Sequence, residues 1–133
     1  MKSSSILIFV LIILEFFVGV TAVQGGFGLI ITNGLGVPVY LLSGSPFDSF
    51  LIPGLFLLFV VGGTSLAASY SLLRKYKRAL DFSAISGISL LIFEFVQLYV
   101  IRIDHVLQIV YFGAGILILA LTIILLRRNI KKV

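Results

Sequence analysis

Two acids stand inside apolar runs of this chain, Glu15 within LIILEFFVGV and Glu94 within LLIFEFVQLY. A carboxyl group in such surroundings is a proton or cation site or a hydrogen-bonding anchor, because a charge at the bilayer centre costs about 2.5–3.5 kcal/mol on insertion scales. Gln97 follows Glu94 by three residues and shares its helical face. Thr64 and Ser65 behind Gly62 and Gly63, and Tyr111 with Gly115, fall in two further apolar runs and can line the same interior. Desolvation and a like-charged neighbour both disfavour the ionised form, so the two acids are expected to keep their protons. A neutral carboxylic acid can then donate to Gln97 or to a serine hydroxyl. Three readings of this polar seam stand open. It fixes helix packing through bonds that contribute about 0.6 kcal/mol each, it handles protons or cations, or it docks a polar or basic residue of a partner subunit.

Arg102, Asp104 and His105 form a second ionisable cluster within four positions. A His beside an Asp can act as a base, but hydrolysis also needs a nucleophile and an oxyanion site, and no G-x-S-x-G pattern occurs. These residues are read as a solvated turn, and no enzymatic activity is expected. The chain has one His and no Cys, which excludes cysteine metal sites and a histidine metal cage, and no metal centre is expected. The GGFG at residues 25–28 lacks the spacing and the Lys of a phosphate loop, and no cofactor is expected.

The elements that must position these residues follow from composition. With 60% of 133 residues apolar and 11% charged, the chain departs from the water-soluble norm of roughly half and a quarter. A hydrocarbon core about 30 Å thick needs about 20 apolar residues per helical crossing, and four runs reach that length, over 5–31, 51–73, 82–101 and 106–126. The expected fold is an all-α polytopic membrane four-helix bundle of up-down topology, in a single domain spanning 1–133. Counted from the cytoplasmic ends at 1.5 Å per residue, Glu15 and Glu94 fall within about 5 Å of one depth, on spans that run in the same direction. That places the two acids opposite one another. Small residues at four-residue spacing, Ala22 with Gly26, Gly63 with Ala67 and Ser83 with Gly87, permit close helix contact within the bundle.

The net charge of +5 is placed for a membrane rather than for nucleic acid. Lys2, the Arg74–Arg78 stretch and the RRNIKKV tail hold nine of the ten basic residues, and Arg102 alone falls on the other side. The positive-inside rule then puts both termini and the second connection in the cytoplasm, in the cell membrane of the organism. The first run is longer than the apolar part of a signal peptide and carries Glu15 at its centre, so it is read as a retained crossing. The outer connection over 32–50 is long and apolar. Its Ser45-Pro46-Phe47-Asp48 has the residue order of a helix start, and Pro53-Gly54 permits a bend at the entry to the second span.

The series SGSPFDSFLIPG, FVVGG, the VQ of the third run, YF near the start of the fourth and a terminal RR resembles an uncharacterised family of small four-span integral membrane proteins of bacteria and archaea. The resemblance covers most of the chain and implies topology. In layout the chain is also similar to the small multidrug resistance transporters, which have four spans and a mid-membrane glutamate in the first. That likeness implies a proton and cation site at Glu15 alone, and it departs from the family in lacking Trp and in its long outer loop. The expected protein is a non-enzymatic accessory subunit or small binding module of the membrane. Its expected partners are the lipid bilayer and either another membrane subunit or a second copy of the chain. The alternative is a small transporter coupled to protons or cations through Glu15 and Glu94.

Overall fold

The computed structural model describes residues 2–32, 49, 51–100 and 106–131, and among these all regular structure is helical. Helix α1 spans Lys2–Thr32. A composite second rod follows, made of α2 (Leu51–Leu55), a π-helical segment (Phe56–Gly62) and α3 (Gly63–Leu73), and then come α4 (Ala79–Val100) and α5 (Val106–Lys131). Four of these rods are long and apolar enough to cross a membrane. The all-α four-helix bundle expected from the hydropathy pattern is the architecture observed. The physical reason is the solvent. Lipid offers the backbone no hydrogen-bond partner, so each apolar run must satisfy its own N–H and C=O groups as a helix.

Two boundaries differ from the sequence reading. Helix α4 begins at Ala79 rather than near Phe82, with Asp81 in its first turn, where the helix dipole favours a carboxylate. Helix α5 runs on through Lys131, beyond the apolar run, carrying Arg127 and Arg128 near a C-terminus that favours cations. Pro53 and Gly54 do not interrupt the second rod, which stays helical from Leu51 to Leu73. Instead the hydrogen-bonding register widens into the π form just after them. The outer loop over 33–48 with its expected short helix, and the rim residues Arg102, Asp104 and His105, lie outside the described residues.

The second and third rods are joined by a tight cationic turn. Tyr76 N–H donates to the Ser71 carbonyl (3.0 Å) and Lys75 N–H to the Leu72 carbonyl (3.2 Å), which is the paired bonding of a Schellman cap. Lys75 holds the left-handed position of that cap, at φ 56°. The ring of Tyr76 folds back edge-on against Tyr70, 6.0 Å between centroids, supplying the apolar contact that accompanies such a cap. The Arg74 guanidinium stands 6.0 Å from the Tyr70 ring centre.

Close backbone approach seats α1 against the second rod. A methyl group on Gly26 would fall 2.6 Å from Leu58 Cβ and 2.8 Å from the Gly54 carbonyl oxygen, so this crossing tolerates no side chain on Gly26. Without a hydrophobic drive between helices in lipid, such van der Waals contact is a main source of their association. Around the rest of the bundle, α4 packs on α3 and the π segment, and α5 on α4 and α1. The buried apolar core includes Leu11, Val18, Val61, Leu90, Phe93 and Ile118. Large side chains such as Phe9, Phe16, Phe59, Phe95 and Ile109 point outward, a surface that suits acyl chains.

Candidate functional site: a carboxyl and serine nest

Glu15 is fully enclosed, with 0% of its surface accessible. It does not meet Glu94. Its partner is the Ser86 hydroxyl of α4, which donates to Glu15 Oε1. Ser86 Oγ also lies 2.9 Å from the carbonyl oxygen of Ser83, itself buried one turn earlier on the same face. Helix α3 closes the third side. Its Ser69 hydroxyl donates to the Ile12 carbonyl of α1 at 3.1 Å, and its Leu66 side chain covers Gly19, 2.6 Å from where a methyl group would stand. Glu15 lies between these two contacts along α1. Ser65, one turn from Ser69 on α3, is also fully buried.

Two oxygens of this nest, Glu15 Oε2 and Ser83 Oγ, and Ser65 Oγ on α3 make no hydrogen bond of regular geometry among the described residues, although the Ser83 hydroxyl stands within reach of the Glu15 carboxyl. The serines are unusual in this chain. A hydroxyl on a helix ordinarily bonds back to a carbonyl of its own preceding turn, as Thr21, Thr64, Ser89 and Thr122 all do. Ser65 and Ser83 do not. Buried hydroxyls without partners are costly, about 1–3 kcal/mol each, and the two orphans lie on the helices that enclose the buried acid.

Glu94 is 3% accessible, and its Oε2 also lacks a partner. It sits eight residues beyond Ser86 on α4, about 12 Å further along the axis at 1.5 Å per residue. The structure therefore does not place the two acids at one depth, as counting from the span ends suggested. Such counting takes the helices to start level, whereas α4 begins three residues earlier than the apolar run and presents Ser86 at the level of Glu15. Phe93 beside Glu94 stacks on Phe56, with ring centres 6.2 Å apart and planes 16° from parallel, so this level of α4 lies against the start of the π segment.

The remaining expected seam residues are scattered. Gln97 is half-buried on α4. Tyr111 is half-buried on α5 and packs against the apolar core. The Thr64 hydroxyl is spent on the Val60 carbonyl of its own helix. Of the residues singled out from sequence, Glu15 and Ser83 stand in the nest, Ser65 is buried on α3, and Ser86, the direct partner of Glu15, was not among them. The signal for it was present, since Ser83, Ser86 and Ser89 recur every third residue in an otherwise apolar run and must share one face.

The nest offers only oxygen donors. The other charged residues on the surrounding helices are Lys2 on α1, Asp81 and Glu94 on α4, and Arg127, Arg128 and Lys131 on α5, while α3 carries none. All the cationic ones lie near helix ends. Among the described residues no three His, Asp or Glu gather as a metal cluster. Comparison with protein-family models, with curated proteins and with solved structures returns no match for this chain.

Proposed function

We propose that this chain is a non-enzymatic binding module of the cell membrane, working alone or as the accessory subunit of a larger membrane complex, with both termini in the cytoplasm. The observation that supports binding is the Glu15 nest, where a sealed carboxyl group and two buried serine hydroxyls keep unused hydrogen-bonding capacity. Packing alone would be served better by apolar residues of the same volume, since replacing both partners of a buried polar pair is often neutral or stabilising. The orientation rests on the basic Arg74–Arg78 turn and the basic end of α5, which a membrane protein keeps on the cytoplasmic side.

Native mass spectrometry of the protein released from its own membrane tests this reading. A retained small ligand or a stoichiometric partner subunit is expected. A bare monomer in every mild detergent, with E15Q indistinguishable from wild type, would refute it. Orientation is checked separately. Because the chain has no cysteine, K77C labels uniquely, and a membrane-impermeant maleimide should reach it in inverted vesicles and not in intact cells.

A second reading, coupled transport of protons or cations, is favoured by one further observation. Glu94 provides another buried, unpartnered carboxyl oxygen farther along α4, beside a π segment, and π-helical turns frequently mark functional sites. Proteoliposomes should then show cation flux driven by a pH gradient, abolished in E15Q. Absence of any such flux, with E15Q altering stability alone, rules this reading out.

A further inference from the structure

We infer that the Glu15 nest is a binding site for one dehydrated alkali-metal cation, which takes the place of the carboxyl proton. This rests on the reading of the nest as a binding site and names its ligand. Hydrogen bookkeeping is the starting point. Ser86 Oγ lies within hydrogen-bond reach of both Glu15 Oε1 and the Ser83 carbonyl, yet a serine hydroxyl has a single hydrogen to give. Both contacts are satisfied together when Glu15 is the neutral acid, its O–H donating to Ser86 Oγ and the Ser86 O–H donating to the Ser83 carbonyl.

Three oxygens remain without partners in that state, Glu15 Oε2, Ser83 Oγ and Ser65 Oγ, all on residues with 0% accessibility. When the proton leaves, Ser86 can turn its hydrogen to Oε1, and the enclosed negative charge needs a counter-charge. No Lys, Arg or His on α1, α3, α4 or α5 lies near mid-helix to supply one, and the other acids on α4 are Asp81, exposed in the first turn 4.0 Å from Arg78, and Glu94, eight residues beyond Ser86. A single carboxylate fixes the charge of the guest at +1, since a divalent ion would leave a net positive charge in hydrocarbon. Hydroxyl and carboxylate oxygens select a hard cation over a soft one. The exchange balances, one proton released for each cation bound.

Ser83 is placed to serve either state. Its hydroxyl makes no bond back to its own helix and stands within reach of the Glu15 carboxyl, so it can offer its hydrogen to the acid or a lone pair to a cation.

The test uses full-length protein in nanodiscs. Thermal unfolding is followed in sodium chloride, potassium chloride and choline chloride at equal ionic strength, and the infrared band of protonated carboxyl groups is recorded in the same samples. Sodium or potassium should raise the unfolding midpoint above that in choline. It should also bleach one protonated-carboxyl band that is missing in E15Q, and lower pH should weaken both effects because the proton competes. E15Q should lose the cation response. S83A should weaken it roughly five- to tenfold, the weight of one neutral oxygen ligand. Should E15Q fail to fold, wild type and S83A still decide. Equal stability in all three salts, or a cation response that persists in E15Q, overturns the proposal. A band that titrates with pH but ignores sodium and potassium overturns it while leaving a proton-binding nest. A band that responds to neither removes the binding reading as well.

Discussion

Removing the Ser86 hydroxyl is the sharpest perturbation of the nest that leaves its acid in place. In S86A, Glu15 loses the partner of Oε1 while Oε2 has none of regular geometry, so a fully enclosed carboxyl group is left with only the nearby Ser83 hydroxyl. The bond itself contributes about 0.6 kcal/mol on the membrane average, with about 1.7 kcal/mol the largest measured. The orphaned acid adds part of a desolvation penalty of about 1–3 kcal/mol. Ser83 lies one turn away with an unused hydroxyl that can rotate toward Glu15, and this offsets some of the loss. The expected destabilisation is therefore about 1–2 kcal/mol. S89A removes a hydroxyl whose bond runs only to the Ser86 carbonyl of its own helix, and it should cost less than about 0.5 kcal/mol. Titration of protein in mixed micelles with a denaturing detergent, read by far-ultraviolet circular dichroism, measures both. A cycle with E15L completes the assay, because replacing both partners removes the orphan and the double variant should be more stable than S86A alone. If E15L and S86A add within about 0.5 kcal/mol, the two residues are energetically independent, and the nest as described is refuted.

Three further outcomes follow from the helix contacts and the turn. G26A should destabilise by about 1–3 kcal/mol, because its methyl group meets Leu58 Cβ and the Gly54 carbonyl at 2.6 and 2.8 Å. G113A meets nothing within 4 Å and should stabilise by about 0.5–1 kcal/mol, so equal effects in the same unfolding titration would discredit the proposed helix contact. K75G should raise stability by about 0.5–1 kcal/mol, since glycine adopts the left-handed cap position without steric strain, and a loss of stability in that titration would contradict the cap geometry.

The architecture was legible in the sequence because hydropathy alone decides it. Twenty or so apolar residues in a row admit one structure in lipid, and the four runs here are separated by charge or by turn residues. What the apolar runs do not encode is how far one rod slides past the next. Glu15 and Glu94 sat at matching distances from their span ends, yet Glu15 is met by Ser86. Contacts between segments far apart in the chain, such as Gly26 of α1 against Leu58 and Gly54 and the Ser86 hydroxyl against Glu15, leave no mark in hydropathy. The seryl stripe of α4 could have been read from its three-residue spacing, since buried hydroxyls facing a buried acid satisfy a need that Gln97 alone could not. The π segment gave no such sign. Pro53 and Gly54 suggested a bend, and the widened register lies in the featureless FLLFVVG that follows them.

That widened register has a mechanical meaning for the second rod. A π segment stores one surplus residue, so deleting a single position between Phe56 and Gly62 can be absorbed by tightening to ordinary α geometry, leaving the faces above and below in their present azimuth. The same deletion within α3 has no slack to draw on, and would swing Ser65 and Ser69 by about 100° relative to the residues before it.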